Sequence, residues 1–142
     1  MTLPATDPAL LDVLEELKAR EPIFHREELG VTREALEAQT AAAFWQVGAT
    51  GLAYDRQHVI DTVETRFLEG TEPDTSRWAS SDHWCRELGP DTYLLTYILD
   101  QAGRRSRRAT IWRRSADGWQ IVYHQGTLIR GRRRSARQPC GI

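Results

Sequence analysis

The chain has 142 residues, of which 40% are hydrophobic and 27% are charged, and its formal net charge is −1. These values favour one globular domain with a single core, and no apolar run approaches the roughly 18 residues of a membrane span. The two cysteines, Cys85 and Cys140, form neither a disulfide framework nor a metal-binding spacing, so a cytoplasmic location is expected.

Charge is distributed unevenly along the chain. The last 13 residues, 130–142, hold five Arg and no acid, whereas residues 1–129 carry 14 basic and 20 acidic side chains, a net charge of −6. The sequence therefore predicts a single domain over 1–129, followed by a basic, disordered tail over 130–142. The acidic body has no basic face that would extend a contact from this tail, so neither nucleic acid nor a membrane is expected as a partner.

The first third of the chain reads as helical. Asp7 followed by Pro8 marks a helix start, and leucines follow at helical spacing until Pro22 interrupts the pattern. Thr32 is a suitable N-cap for a second helix. Asp55 is a suitable N-cap for a third, which Gly70 ends. Three N-terminal helices are thus predicted.

The remaining segments read as strands. A hairpin is predicted over 43–54, within "AFWQVGATGLAY", where short apolar runs surround two glycines. After residue 77 the pattern alternates, and the turns "LGPD", "QAG" and "SADG" separate successive runs. Four further strands are predicted, over 77–87, 92–100, 104–114 and 119–127. The sequence therefore predicts an α+β fold with about six strands.

Both faces of the last strands carry large apolar side chains. Side chains alternate along a strand, so Ile121 and Tyr123 share one face, while Val122 and His124 share the other. A sheet with two apolar faces needs a cover on each of them.

Two stretches resemble a known superfamily. "ATIWRRSADGWQIVYHQGT" resembles the closing hairpin of the nuclear transport factor 2-like (NTF2-like) superfamily, and in particular its DUF4440/SnoaL-like branch. There a Trp-Arg-Arg run, an Asp-Gly turn, a Trp and a late His recur. "FWQVGATGLAYDRQHVID" resembles the first hairpin and third helix of that branch. The likeness spans about residues 7–128.

The resemblance implies a cystatin-like cone, in which a strongly bent, mostly antiparallel sheet wraps helices around a pocket. The outer face of the sheet often forms a homodimer in this superfamily. The hairpin pattern implies that four residues face the pocket, namely Thr110, Trp112, Val122 and His124. It implies that four others face a second copy of the chain, namely Ala109, Ile111, Ile121 and Tyr123.

Several side chains are candidates for chemistry. His124 has an ordinary pKa near 6.5, which suits proton transfer, although a buried neutral His would serve structure alone. Tyr54 can offer a hydroxyl to an oxyanion, or it can be structural. Asp82 is a possible base if its strand face points inward, and it is solvated otherwise. Arg108 can anchor an anionic ligand at the pocket mouth, or it can lie in solvent. Trp45 and Trp112 can form aromatic walls or ordinary core.

Other chemistries are not indicated. The four histidines are far apart and lack metal-ligand spacing, so no metal or cofactor is expected. The stretch "AFWQVGATG" holds no acid, so the carboxylate base that steroid-isomerase-type relatives place on the early hairpin or the helix before it is missing.

Three functions stay open on this basis. The first is a homodimer that binds a small, largely hydrophobic molecule. The second is an isomerase, cyclase or dehydratase acting on a hydrophobic carbonyl compound, with His124 moving a proton and Tyr54 or Arg108 holding an oxyanion. The third is an association module whose pocket is incidental. One fold hosts many functions, so the sequence does not separate enzyme from binding protein.

Overall fold

A computed structural model describes residues 2–130 of the chain. Three α-helices are present, α1 (Leu11–Lys18), α2 (Arg33–Ala38) and α3 (Arg56–Glu69), together with two short 3-10 turns, Pro8–Leu10 and Glu27–Leu29. Apart from Arg130, the basic tail predicted from the sequence lies outside the described residues. Within residues 2–130, no helix combines the length and the apolar composition that crossing a bilayer requires.

The predicted caps begin the helical segments. The Asp7 carboxylate accepts a hydrogen bond from the Ala9 N–H at the first 3-10 turn. Thr32 Oγ1 accepts one from Ala35 N–H at α2, and Asp55 Oδ1 accepts one from His58 N–H at α3. Gly70 ends α3 with a φ of 66°, a conformation that glycine adopts without strain. The predicted starts of these elements, and the predicted end of α3, are therefore confirmed.

Six strands form one mixed sheet. They are β1 (Thr40–Val47), β2 (Ala53–Asp55), β3 (Trp78–Gly89), β4 (Thr92–Gln101), β5 (Arg104–Ser115) and β6 (Gly118–Leu128). Their order in the sheet is β2-β1-β6-β5-β4-β3. Only the β1–β6 pair is parallel. Here the last strand of the C-terminal meander, β6, pairs with β1, the strand that follows α2. The predicted mostly antiparallel sheet of about six strands is confirmed.

The core lies between the helices and one face of the sheet. Leu17 from α1 and Ile60 from α3 are fully buried there. They pack in one cluster with Leu95 and Trp112 from the sheet. Helices therefore cover one of the two faces of the sheet.

A β-bulge in β6 changes which side chains reach this core. Ile111 pairs with Tyr123, whereas the next residue of β5, Trp112, pairs with Ile121. Val122 is the extra residue, so strict alternation fails at this point. Ile121 is 1% exposed and packs in the core beside Trp112. The expectation that Ile121 faces outward was wrong, because the bulge turns it to the helix side.

Candidate functional site

A cavity of about 310 Å³ opens between α3 and the sheet. Its walls come from α3, from the segment 22–25 after α1, and from one or more residues of each of β1, β2, β4, β5 and β6. Ligand sites in proteins commonly have volumes of roughly 300–1,000 Å³. The cavity is therefore large enough for a small organic molecule.

The lining divides into an apolar part and a larger polar part. The apolar side chains are Pro22, Ile23, Phe24, Val59, Val63 and Leu99. The polar or charged ones are His25, Gln46, Tyr54, His58, Thr62, Arg66, Tyr97, Gln101, Arg108 and His124. No Asp or Glu is among these lining residues. The cavity is therefore more polar than the sequence predicted, and its fixed charges are positive.

Three buried polar atoms at this cavity lack a hydrogen-bond partner within residues 2–130. They are Gln46 Oε1, His25 Nδ1 and His124 Nε2. All three side chains line the cavity. A buried polar atom without a partner costs about 1–3 kcal/mol, so such atoms are few in native proteins. Their concentration at one cavity is the feature that a bound polar ligand would explain.

His124 is the most deeply placed of the three. Its side chain is 4% exposed, and Nδ1 lies 2.7 Å from Thr110 Oγ1, which is fully buried. Burial, and secondly the charge of Arg108, lower the pKa of His124 to about 3. The imidazole is therefore neutral at neutral pH, with Nδ1 bonded to Thr110 and Nε2 buried without a hydrogen-bond partner within residues 2–130.

Arg108 brings a guanidinium to the same cavity. Its Nε–H donates to Ser106 Oγ at 2.8 Å, and Nη2 donates to Gln101 Oε1 at 3.3 Å. Both acceptors are neutral, and no carboxylate of the described chain lies within ion-pair distance of this guanidinium. Burial lowers the pKa of Arg108, as expected for a cation that has lost hydration.

The second cavity arginine is neutralised. Arg66 Nε lies 2.8 Å from Glu72 Oε1, and His25 Nδ1 lies 3.4 Å from Glu72 Oε2, within ion-pair distance but without hydrogen-bond geometry. Burial, and then the charge of Arg66, lower the pKa of His25, so that it too favours the neutral form. Glu72 itself does not line the cavity.

A buried carboxyl group, Glu21, lies behind the cavity. It is 2% exposed, and its Oε1 accepts hydrogen bonds from Tyr97 OH at 2.6 Å and from Ile23 N–H at 3.2 Å. Its Oε2 accepts one from Trp112 Nε1 at 3.1 Å. Burial raises the pKa of Glu21, and the surrounding hydrogen bonds oppose that rise. Sequence reasoning missed this residue, because a Glu at the end of an amphipathic helix is normally solvated.

The structure brings three of the predicted site residues to the cavity, namely Tyr54, Arg108 and His124. Thr110 and Trp112 lie directly behind it, the first bonded to His124 and the second to Glu21. The functional roles of these five residues stay predictions. Gln46, His25, His58 and Arg66 were not among the predicted residues.

Three other predicted residues lie away from the cavity. Trp45 is 46% exposed, because Phe44 and Gln46 take the inward positions of β1 and leave Trp45 on the outer face. Val122 is the half-buried bulge residue and lines no part of the cavity. Asp82 sits at a register shift in β3 with φ of 60°, where its exposed carboxylate lies 4.0 Å from Arg107. The inward placement expected for Trp45 and Val122 was wrong, and Asp82 proved to be solvated.

The outer face of the sheet carries the remaining predicted residues. Ala109, Ile111 and Tyr123 are half-buried and line a shallow groove there. The ring of Tyr123 packs edge-on against Trp45, with 4.8 Å between the ring centres. Three of the four residues predicted for this face therefore lie on it, and Ile121 is the exception.

No metal centre can be built from residues 2–130. No group of three or more His, Cys, Asp or Glu side chains is arranged there so that it could hold a metal ion.

Comparison with known proteins identifies the fold. No protein-family model matches the chain, and no curated protein matches its sequence. Solved structures do match. An NTF2-like protein from Cytophaga hutchinsonii is 13% identical and superposes with a TM-score of 0.62 over 83% of this chain and 96% of its own. This chain has the NTF2-like fold.

Two other structures support the same assignment. A proposed dehydratase of the NTF2-like family from Streptomyces avermitilis is 16% identical, with a TM-score of 0.63 over 84% of this chain and 98% of its own. A cystatin-like fold protein from Burkholderia xenovorans is 18% identical, with a TM-score of 0.60 over 84% and 93% of the two chains. The predicted NTF2-like cone is thus confirmed as a fold. Membership of the DUF4440/SnoaL-like branch stays a prediction.

Proposed function

We propose that this NTF2-like protein binds a small molecule in the cavity between α3 and the sheet. The observation that carries the proposal is the group of unpartnered polar atoms on Gln46, His25 and His124. Buried polar atoms cost stability where nothing bonds to them, and a ligand with matching donors and acceptors removes that cost. The apolar side chains of Phe24 and Val63 would contact the rest of the ligand.

Binding is favoured over catalysis by the state of His124. A general acid or base works best when its pKa lies near the operating pH, whereas the pKa of His124 is lowered to about 3. Tyr97 is also occupied, because its hydroxyl donates to Glu21. In the free protein, His124 is therefore suited to hydrogen bonding rather than to proton transfer.

The test uses Gln46→Leu. Leu is an apolar side chain of comparable volume and removes the unpartnered acceptor, so the free energy of unfolding should rise by about 1 kcal/mol, while ligand binding is lost. Gln120→Leu is the matched control, since Gln120 accepts from Arg113 on an exposed part of the sheet. Urea unfolding and protein-observed NMR with a fragment collection measure the two effects. A wild-type protein whose cavity resonances respond to no fragment would overturn the proposal.

Proton transfer on a carbonyl compound is the second candidate. One observation favours it: the Thr110 hydroxyl bonds to His124 Nδ1 and is near enough to Glu21 to lower the pKa of that carboxyl. Glu21, Thr110 and His124 could then act as a proton relay. This function requires a bound ligand to raise the pKa of His124 toward neutrality. An NMR titration of the imidazole in the ligand-bound protein measures that change, and a pKa that stays near 3 excludes the enzyme.

We also propose that the outer face of the sheet binds a second copy of the chain. The exposed ring of Trp45, packed on Tyr123, adjoins the half-buried side chains of Ile111 and Ala109. An apolar, aromatic patch of this kind is typical of a protein interface. The homodimer leaves the cavity on the opposite, helix-covered face free for its ligand.

A further inference from the structure

The cavity holds a guanidinium, that of Arg108, which forms no ion pair within the described chain, and the buried carboxyl of Glu21 behind it only partly offsets the effect of burial on the pKa of Arg108. Of its two arginines, Arg66 is paired with Glu72 at 2.8 Å, while Arg108 has only the neutral acceptors Ser106 and Gln101. None of the lining residues is acidic. A partly buried cation without a counter-charge is costly, and proteins normally pair it. The missing counter-charge is therefore best supplied by the ligand.

The sheet register places Arg108 and His124 close together in the sheet, and both side chains line the cavity. Arg108 pairs with Gly126, and Thr110 pairs with His124, so Arg108 and His124 lie on adjacent strands of the same face. A Cβ on Gly126 would lie 3.3 Å from the Cζ, Nε and Nη1 atoms of Arg108. The absence of a side chain at Gly126 thus lets the guanidinium lie directly over β6. Nη1 has no hydrogen-bond acceptor within residues 2–130, so its N–H groups are available to a ligand.

We propose that the ligand is a small organic carboxylate, held by the guanidinium of Arg108 and by Nε2–H of His124. Planar guanidinium groups match the two oxygens of a carboxylate, and such charge-assisted bonds are the stronger class of hydrogen bond. The apolar side chains of Ile23, Phe24 and Val63 contact the organic part. This inference rests on the proposed binding function and specifies its ligand class.

The proposal also sets the tautomer of His124. A carboxylate at Nε2 requires a proton on that nitrogen, so Nδ1 becomes the acceptor and the single O–H of Thr110 donates to it across the observed 2.7 Å rather than to Glu21. Gln46 Oε1 remains available for a donor elsewhere on the ligand. A carboxylic acid that also carries a hydroxyl or amino group near the carboxylate would supply a donor to Gln46, which is the β1 partner of His124 in the sheet.

The experiment compares carboxylates with their neutral amides. The full chain is titrated by NMR with hexanoate and hexanamide, with phenylacetate and phenylacetamide, and with inorganic phosphate. We expect each carboxylate to bind at least about 10-fold more tightly than its amide. Arg108→Gln should abolish that difference. Arg107→Gln is the matched control, because Arg107 is the adjacent residue and lies near exposed Asp82 instead.

The outcomes separate this inference from the proposed function. If the amides bind as tightly as the carboxylates, the proposal of a carboxylate ligand is wrong, while the proposal that the cavity binds a small molecule stands. Phosphate that binds as tightly as the carboxylates would also overturn the carboxylate proposal, in favour of an inorganic anion. If no compound shifts the cavity resonances, the carboxylate proposal fails, and the fragment collection described above then decides whether cavity binding fails with it. If Arg108→Gln does not fold, Arg108→Lys replaces it: the single ammonium should reduce the carboxylate preference, and an unchanged preference would contradict the role of Arg108.

Discussion

The environment of His124 makes the free energy of unfolding depend on pH in one direction. Its pKa falls from the ordinary 6.5 to about 3 on folding, first because of burial and then because of Arg108. Between these values the unfolded chain binds a proton that the folded protein does not. Stability is therefore present above pH 6.5 and is lost as the pH falls toward 3, by about 1.4 kcal/mol per pH unit.

The measurement is urea unfolding of the wild type and of His124→Gln from about pH 7 to about pH 4. The variant lacks the titrating imidazole, so its stability should fall less steeply with acid. Glu21 acts in the opposite direction, since its raised pKa gives a contribution that is present at low pH and lost as the pH rises through the folded value. Both proteins contain Glu21, so the difference between them isolates His124. Parallel curves would contradict the lowered pKa.

The hydrogen bond from Tyr97 to Glu21 gives a second prediction at this scale. Tyr97→Phe removes a buried 2.6 Å bond to the carboxyl group, and it should lower the free energy of unfolding by about 1.5–3 kcal/mol. Tyr93→Phe is the matched control, because Tyr93 is buried on the same face of β4 and packs edge-on against Trp119. Urea unfolding measures both. Equal losses of unfolding free energy in the two variants would show that the hydrogen bond from the Tyr97 hydroxyl to Glu21 adds no stability of its own.

Among elements, β6 departs most from its sequence pattern. The resemblance implies that Ile111 and Ile121 both face outward, and strict alternation keeps Ile121 on the face of Tyr123, but the bulge at Val122 moves Ile121 to the core. Ile121→Ala should therefore cost about 2–5 kcal/mol, as core truncations do. Ile111→Ala, the same substitution on a half-buried residue, should cost about 1 kcal/mol. Urea unfolding of both variants at low protein concentration tests this, and similar losses would contradict the bulge.

The segment after α1 is hydrogen-bonded to the sheet through the side chain of Glu21, beside the ring contacts of Phe24 and His25 with β1 and β3. Glu21 joins this segment to β4 through Tyr97 and to β5 through Trp112. The segment in turn supplies Ile23, Phe24 and His25 to the cavity wall. The shape of the cavity thus depends on a contact that neither helix nor strand propensity encodes.

For the whole molecule, the outer face predicts the oligomeric state. We expect a dimer at micromolar concentration in sedimentation analysis and a monomer for Ile111→Asp, because a charge in an apolar interface lacks a partner. Leu68→Asp is the control, since Leu68 is 80% exposed on α3 and away from this face. It should remain dimeric. A monomeric wild type would contradict the proposed interface.

The sequence by itself determined the elements and the fold. The caps at Asp7, Thr32 and Asp55 act through hydrogen bonds to residues two or three positions away, so a short stretch of sequence is enough to predict them. The strand pattern and the Trp-Arg-Arg, Asp-Gly and late His of the closing hairpin were sufficient to indicate the NTF2-like fold. They also indicated His124, Tyr54 and Arg108 as residues near the pocket.

Only the tertiary structure decided the chemistry of the cavity. The side-chain partners of Glu21 are 76 and 91 residues away in sequence, so nothing local marks this Glu as buried. The position of Ile121 depends on the register between two strands, which one strand's pattern does not contain. The unbalanced charge of Arg108 likewise appears only when distant elements meet. The candidate site therefore depends on contacts between residues distant in sequence, whereas the helices and strands follow from short stretches of sequence.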